Sequence, residues 1–259
     1  MIFVSLGSGS KGNVAVVENK GRSLLIDAGL YHRNIADRIK RSGLNMISVS
    51  AVLLTHEHSD HVRGLDVFLK RKPVPVHLSR GTYDGLSAVK KEMIGKYAEI
   101  FDTGDVLNIN GLQIKTFPVS HDAGEPVGFA VSGKGRKLGY ATDVGKVTGE
   151  LIENLAGADG IVLESNHDID MLWDGPYPEI LKQRIAGPFG HLSNPEALRV
   201  IESVATKNLK WVVFAHLSQE NNRPDIVLRD TVSKIRNNNG AAVEIIIADQ
   251  DVPTAALSI

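Results

Sequence analysis

The stretch Thr55-His56-Glu57-His58-Ser59-Asp60-His61 places three imidazoles and two carboxylates within seven residues. It follows the apolar run 49–54, which is typical of a buried strand that ends in a loop. Imidazole nitrogens and carboxylate oxygens are ligands that zinc and related divalent metals prefer. A polar surface loop is the alternative, but nine His in 259 residues rarely place three within six positions by chance. The stretch therefore predicts a metal site.

The spacing inside this loop predicts more than one group of ligands. His56 and His58 are two residues apart, so both point to the same side of an extended segment. Asp60 and His61 lie where the chain turns into a helix predicted over residues 61–72, whose apolar positions have helical spacing. One loop can therefore present two ligands to one metal and two to a neighbouring metal.

Composition narrows the class of protein. The chain has 259 residues, 42% of them hydrophobic, which is enough to bury one substantial core or two fused layers. The net charge is −1, so no global positive field indicates nucleic acid or a membrane. The absence of Cys excludes disulfides, thiolate ligands and Cys nucleophiles, and neither a signal peptide nor an apolar run of membrane length is present. We expect a soluble, cytoplasmic protein with no membrane partner.

The order of predicted elements indicates an α/β fold with two mixed sheets and helices outside them. Short strands separated by Gly-rich turns fill most of residues 1–141, with a mostly helical segment at 81–96. Helix and strand alternate after residue 150, and we predict a helix that begins with Asn194 as its N-cap. No linker-like segment separates the halves. We therefore expect one compact domain over residues 1–259.

Three further ligand-type residues each follow a predicted strand. His121 follows the strand that begins at residue 112, Asp143 follows the strand ending at 141, and His216 follows the strand ending at 215. A lone His or Asp in such a place is usually a surface, core or capping residue. Active sites on layered sheets are often built from loops at strand ends, so these side chains can converge with the opening stretch on one point.

This ordered set of residues resembles that of the metallo-β-lactamase-fold hydrolase superfamily. The resemblance covers nearly the whole chain and implies a four-layer αβ/βα sandwich with two divalent ions, zinc or manganese, with iron as a further option. Asp27, at the end of the apolar run 24–26, matches a position that braces the metal loop. The ligands implied are His56, His58 and His121 for one metal, Asp60, His61 and His216 for the second, and Asp143 as a bridge.

The metal set indicates hydrolysis but leaves the substrate open. Two metals bridged by a carboxylate suit hydrolysis of phosphate esters, and the same site also serves thioester hydrolysis. Many β-lactam hydrolases of this superfamily carry a Cys in the second-metal site, whereas this chain has none. The substrate must therefore be inferred from residues outside the set of metal ligands.

Two of these features are a Gly-rich turn at 6–13 and the segment after the strand at 160–163. The turn can bring backbone N–H groups close to a phosphate, although a plain hairpin turn explains it equally well. Tyr177, Lys182 and Arg184 can contact a nucleotide, although packing or surface roles explain each of them alone. The side chains expected to bind substrate are Ser8, Ser10 and Asn13 from the turn, and Asn166 and His167 from the second segment.

The third feature is the segment 190–194, directly before a predicted helix. A helix N-terminus attracts anions, and His191 can donate a hydrogen bond to a phosphate or protonate a leaving oxygen. Ser193 and Asn194 can contact the same phosphate; the alternative is that Asn194 only caps the helix. We expect His191, together with Asp60 and Asp143 of the metal set, to act in catalysis.

These segments resemble the YycJ/WalJ group of bacterial proteins. The matching motifs are Leu-Gly-Ser-Gly-Ser-x-Gly-Asn at 6–13, Glu-Ser-Asn-His-Asp at 164–168, Gly-His-Leu-Ser-Asn at 190–194 and His-Leu-Ser-x-Glu-Asn-Asn at 216–222. The resemblance implies a two-metal phosphodiesterase that acts on nucleic acid as a DNA 5′-exonuclease. The alternatives are a small-molecule hydrolase (a glyoxalase-II-type thioesterase or a cyclic-phosphate diesterase) and a catalytically inactive, metal-stabilised binding protein. The net charge of −1 is the weak point of a nuclease assignment.

Overall fold

The computed structural model describes residues 1–232, 234–235, 240 and 242–259. Within them, two seven-stranded sheets have the strand orders β14-β1-β2-β3-β4-β5-β6 and β13-β12-β11-β10-β9-β8-β7. The strands are β1 (Ile2–Gly7), β2 (Val14–Asn19), β3 (Arg22–Ile26), β4 (Val49–Leu53), β5 (Val76–Ser79), β6 (Ala98–Phe101), β7 (Val106–Ile109), β8 (Leu112–Pro118), β9 (Val127–Gly133), β10 (Arg136–Ala141), β11 (Gly160–Glu164), β12 (Trp211–Ala215), β13 (Glu244–Ile247) and β14 (Leu257–Ser258).

Both sheets mix antiparallel and parallel pairing, as predicted. In the first sheet β14, β1, β2 and β3 pair antiparallel and β3 to β6 pair parallel. In the second sheet β7 to β10 pair antiparallel and β10 to β13 pair parallel. Asn110-Gly111 and Lys134-Gly135 connect two of the antiparallel pairs. All four residues have positive φ, as the favoured two-residue hairpin turns require.

Helices cover the outer faces of both sheets. They are α1 (His32–Arg41), α2 (Ser59–Val62), α3 (Leu65–Arg71), α4 (Arg80–Gly85), α5 (Ala88–Ile94), α6 (Gly149–Leu155), α7 (Ile169–Asp174), α8 (Glu179–Ile185), α9 (Asn194–Val204) and α10 (Pro224–Thr231). Among the described residues, no helix combines the length and the apolarity needed to cross a membrane.

Three apolar clusters hold the layers together. One lies between the sheets and includes Phe3, Phe129 and Trp211. A second, which includes Phe68, joins the first sheet to α1, α3 and α5, and a third joins the second sheet to α6, α9 and α10. Each fully buried large apolar side chain contributes about 1.5–3 kcal/mol relative to an exposed one. The predicted four-layer αβ/βα sandwich is confirmed.

The helix predicted over residues 61–72 is wrong in one respect, because it is two helices that meet at Gly64. The carbonyl of Asp60 accepts a hydrogen bond from the backbone N–H of Asn13, and that of His61 accepts one from Ala28, both at 2.8 Å. The N–H of Gly64 in turn donates to the carbonyl of Ala28. The helix therefore ends where its carbonyls bind other segments, which fixes the metal loop against the start of the chain.

One other prediction of helix position needs correction. Ser193, not Asn194, is the N-cap of α9, because its hydroxyl and backbone N–H both donate to the Glu196 carboxylate. The prediction that residues 81–96 are mostly helical is confirmed, although the segment forms two helices, α4 and α5, and Ser87 caps the second. Helices α7 and α8 and the short strand β14 were not predicted.

Candidate metal centre

The carboxyl ends of strands in both sheets place the candidate ligands. The loop 54–58 leaves β4 of the first sheet, whereas His121, Asp143 and His216 leave β8, β10 and β12 of the second sheet. Asp27 comes directly after β3, the neighbour of β4. The site therefore lies along one edge where the two sheets meet, as the positions after strands predicted.

Backbone conformation singles out three of these residues. Asp27, Asp143 and His216 have φ of 61°, 58° and 54°, in the left-handed region. The other non-glycine residues with positive φ in the described chain are three hairpin-turn residues. A non-glycine residue in this region costs about 1–3 kcal/mol when the surrounding structure must hold it there. Backbone strain is therefore present at the three strand ends from which these side chains point toward the site.

A first group of ligand atoms belongs to His56, His58 and His121. One nitrogen from each lies within 4.8 Å of the others. The His56 ring centroid is 4.6 Å from that of His58 and 5.2 Å from that of His121. Three imidazoles that converge in this way suit zinc and similar ions.

A second group contains Asp60, His61 and His216, again within 4.8 Å of one another. Asp60 Oδ2 is 3.5 Å from His61 Nε2 and 3.6 Å from His216 Nε2. Asp143 lies between the two groups. Its Oδ2 is 3.3 Å from His61 Nε2, and its Oδ1 is 3.8 Å from His121 Nε2. The structure therefore brings all seven predicted metal ligands together.

The chemistry of this cluster fits bound cations. His56 Nε2, His216 Nε2 and Asp143 Oδ2 are buried and have no hydrogen-bond partner among the described residues. A buried polar atom without a partner costs about 1–3 kcal/mol. His61 donates from Nδ1 to Asp27, so its neutral form turns the Nε2 lone pair toward the carboxylates of Asp60 and Asp143. A cation bound between these facing acceptor atoms would satisfy them together.

Asp27 contacts the loop from outside the cluster, and its role in supporting the metal ligands stays a prediction. Its Oδ2 is 2.8 Å from His61 Nδ1, and its carboxylate accepts hydrogen bonds from the backbone N–H and the hydroxyl of Thr55. Burial raises the pKa of Asp27, and the His61 ring opposes that rise. A histidine held at Nδ1 presents Nε2 in a fixed direction, which is how supporting carboxylates orient metal ligands.

Comparison with known sequences identifies the family. The sequence profile described as "Beta-lactamase superfamily domain" matches residues 22–216. Exodeoxyribonuclease YycJ of Bacillus anthracis is 36% identical over 256 residues, which cover 97% of each chain. The chain belongs to the metallo-β-lactamase superfamily, in its YycJ/WalJ group.

Further comparisons agree with this membership. Exodeoxyribonuclease WalJ of Streptococcus pneumoniae serotype 2 is 30% identical over 96% of this chain and 94% of its own. The crystal structure of Zn²⁺-bound PqqB from Methylobacterium extorquens superposes with a TM-score of 0.69 and 19% identity over the full length of both chains, which shows the shared fold. The protein is a metallo-β-lactamase-fold hydrolase, and the resemblance predicted from the sequence is confirmed. This fold implies that the protein binds divalent metal.

Glu164, whose contacts with the site the sequence analysis missed, lies against two imidazoles of the cluster. Its Oε1 is 2.8 Å from Nδ1 of both His191 and His216. Its Oε2 accepts the backbone N–H groups of Val144 at 2.9 Å and Leu192 at 3.1 Å. Burial opposes its ionisation, but the adjacent His191 and His216 lower the pKa of Glu164 to about 2. The position of Glu164 at the end of β11, like that of Asp27 directly after β3, was the sequence feature that could have indicated its contact with the site.

His191 lies next to the predicted ligands. Its ring centroid is 5.0 Å from that of His121 and 5.2 Å from that of His216. The ring is one-fifth exposed, whereas the neighbouring Glu164 is fully buried. Glu164 binds Nδ1, so the other edge of the His191 ring remains for contacts with a substrate.

The predicted substrate contacts from the Gly-rich turn divide into two kinds. Ser8 accepts the backbone N–H of His216 at 2.8 Å. Asn13 Nδ2 is 3.1 Å from both Asp60 Oδ2 and His61 Nε2, so the amide touches the second ligand group. These two residues organise the metal cluster. Ser10 lies at the mouth of the site, where it lines a cavity.

The other predicted contacts also differ in position. Asn166 lines the cavity and donates to the carbonyl of His216. His167 is buried, and its backbone pairs with Ser193 in an isolated bridge. Asn194 exchanges side-chain hydrogen bonds with Ser165 and Asn222. The side chains of Ser193 and Asn194 form hydrogen bonds within the protein. The roles of all these residues as substrate contacts stay predictions.

Two adjoining cavities flank His191. The first, of about 240 Å³, is lined by Ser10, Asn166 and His216 among others, and the second, of about 210 Å³, reaches Asp122. Tyr177, Ile185 and His191 line both cavities. Of the three expected nucleotide contacts, Tyr177 faces the cleft, Arg184 reaches it while paired with Asp122, and Lys182 donates to the Trp173 carbonyl.

Proposed function

We propose that this protein is a two-metal-dependent phosphodiester hydrolase that acts on nucleic acid, as an exonuclease that degrades DNA from the 5′ end. The observation that carries the proposal is the pair of ligand groups with Asp143 between them, beside a cleft lined by His191 and His216. The curated relatives named exodeoxyribonucleases match almost the whole chain and support the substrate. We infer that residues 1–259 act as one domain and work in the cytoplasm.

Seven side chains would hold the two ions. His56, His58 and His121 would hold one, Asp60, His61 and His216 the other, and Asp143 would bind both. The mixture of imidazole and carboxylate suits zinc or manganese, with iron as a further option. When bound, such ions lower the pKa of water and neutralise charge on the phosphoryl oxygens.

The protein's own carboxylates orient the histidine rings of the site. Asp27 and Glu164 fix the rings of His61 and His216 from outside the cluster, so that each presents its other nitrogen to the site. Glu164 also holds Nδ1 of His191, which leaves Nε2 to bind a phosphoryl oxygen or to hold a proton near the leaving oxygen.

The decisive experiment uses the full-length protein reconstituted with Zn²⁺ or Mn²⁺ and a DNA duplex labelled at either its 5′ or its 3′ end. We expect single nucleotides to be released from the 5′ end. The variants His58→Ala and Asp143→Ala should lose this activity and bind less metal. Full activity of metal-depleted His58→Ala protein would refute the mechanism.

The same assay separates the alternative functions. Preferred turnover of thioesters or cyclic nucleotides over oligonucleotides would identify a small-molecule hydrolase of the same fold. Stoichiometric metal without turnover of any ester would identify an inactive binding protein. The intact set of ligand side chains argues against the latter, because a decayed site would be expected to have lost ligands.

A further inference from the structure

A separate cavity lies outside the metal centre, between the start of α1 and the exposed side of α3. It measures about 480 Å³ and is lined by Tyr31, His32, Arg33, Ala36, Val67 and Arg71. The lining offers two guanidinium groups, an imidazole and a phenol, and it contains no carboxylate. We call this cavity the basic groove.

Neither arginine of the basic groove forms an ion pair with a carboxylate of the described residues. The arginine ion pairs among the described residues all involve other arginines. Asp37 of α1 pairs with Arg41 at 3.8 Å, and Asp66 of α3 acts on Lys90. Burial and the charge of the neighbouring Arg71 lower the pKa of His32. The groove therefore has a positive potential that an anion can use.

The groove begins close to the metal loop. The backbone N–H of Ala28 donates to the carbonyl of His61 at 2.8 Å. Tyr31 follows three residues later, and three residues span at most about 11 Å. On the other wall, α3 begins four residues after His61. Tight packing fixes this arrangement, because a Cβ on Gly64 would lie 1.8 Å from the Leu30 carbonyl oxygen.

A further cation lies on the same side of the centre. The Arg63 guanidinium donates to the carbonyl of Lys11 at 2.8 Å. Lys11 is two residues from Asn13, whose amide contacts Asp60. Between residues 31 and 72 the sequence has eight Lys or Arg and four Asp or Glu, although the whole chain has a net charge of −1. The segments that flank the metal loop therefore carry an excess of basic residues, and Arg33, Arg63 and Arg71 are among them.

We propose that the basic groove binds the nucleic acid strand at phosphates beyond the reacting one. This inference rests on the proposed function. Arg33 and Arg71 contact phosphates, and Tyr31, whose side chain is 63% exposed, offers its ring to a base. The occupant is a single strand, because stacking on an aromatic ring requires an unpaired base.

The test compares two variants with equal loss of charge. Arg33→Gln/Arg71→Gln removes the cations of the groove. Lys207→Gln/Lys210→Gln removes exposed cations before β12, at the opposite end of that strand from His216. The probe is a phosphorothioate single-stranded DNA of about 12 nucleotides, a length within the usual site sizes for single strands. Its affinity is measured by fluorescence anisotropy over a series of salt concentrations.

We expect the groove variant to bind about tenfold more weakly and to lower the slope of log affinity against log salt by about 1.4, for two lost phosphate contacts. The ratio of oligonucleotide to bis(p-nitrophenyl) phosphate turnover should fall by a similar factor. Arg33→Lys/Arg71→Lys should restore most of the affinity, which a folding defect would not allow.

The outcomes separate the two proposals. Equal affinity and equal salt slope for the groove variant and the Lys207/Lys210 control would overturn the groove assignment. Failure of the unmodified protein to cleave any oligonucleotide would overturn the proposed function, while groove-dependent binding of the probe would still support the groove. Preference for fully paired duplex over single strand would overturn the assigned occupant.

Discussion

Replacing Glu164 with Gln should damage the site without changing its shape. In the native protein Oε1 faces the Nδ1 atoms of His191 and His216, and Oε2 accepts the N–H groups of Val144 and Leu192. An amide has one acceptor oxygen and one NH₂ donor. Whichever way the amide points, its NH₂ group meets two groups that require an acceptor.

The magnitude follows from these contacts. Two donors lose a charged acceptor in a fully buried position, so we expect the free energy of unfolding to fall by about 2–4 kcal/mol. If the NH₂ group faces the imidazoles, both rings lose their anchor. Loss of such supporting contacts typically reduces activity or metal affinity about 10- to 100-fold. We expect a reduction of that size in DNA cleavage.

The assay measures turnover of an end-labelled oligonucleotide, bound metal and the urea midpoint for Glu164→Gln. Glu202→Gln is the matched control, because Glu202 is exposed on α9. The control should behave like the unmodified protein. Turnover and stability of Glu164→Gln within twofold and about 0.5 kcal/mol of the control, the usual range for surface changes, would refute the role of the carboxylate.

Four shorter predictions concern other parts of the molecule. Arg38 is buried and donates to two backbone carbonyls, so Arg38→Gln should lower the free energy of unfolding by about 2–3 kcal/mol, measured in urea. A Cβ on Gly29 would lie 1.6 Å from the Asp60 carbonyl oxygen, so Gly29→Ala should cost about 1–3 kcal/mol and reduce bound metal, whereas Gly149→Ala, in open space, should not. Removal of bound metal by a chelator should lower the free energy of unfolding by about 2.7 kcal/mol, relative to protein with free metal at 100 times its Kd. Scanning calorimetry with and without the chelator measures this difference. Burial lowers the pKa of His77, so the unfolded chain binds a proton more readily and stability falls with pH below about 6.5. His77→Leu should reduce that fall, and an unchanged pH profile would contradict the reasoning.

Local sequence patterns predicted the features that depend on neighbours in the chain. The apolar run 49–54 and the imidazoles after it needed only strand periodicity and ligand chemistry to be interpreted. The pattern Ser193-x-x-Glu196 also marks a capping box, so the N-cap of α9 could have been placed correctly from sequence. Ligand residues at strand ends were predicted because topology, and not side-chain detail, brings such ends together.

Features that depend on distant segments escaped the sequence analysis. The interruption at Gly64 arises because Asn13 and Ala28, far away in the sequence, take the carbonyls that a continuous helix would use. Glu164 accepts hydrogen bonds from residues 27 and 52 positions away, so its place at a strand end could suggest a role but could not identify its partners. The basic groove likewise needs the three-dimensional approach of α1 to α3.

The division of ligands between the sheets implies that metal binding and folding are coupled. In each predicted group, two ligands come from the loop after β4 of the first sheet, and the third, His121 or His216, comes from the second sheet. An unfolded chain retains only the short-range spacing of residues 55–61, so it cannot form either complete group. Ions bound to the native cluster would therefore hold the two sheets together. The same ions would offset the strain at Asp143 and His216, whose left-handed backbones aim the bridging carboxylate and the last imidazole into the cluster.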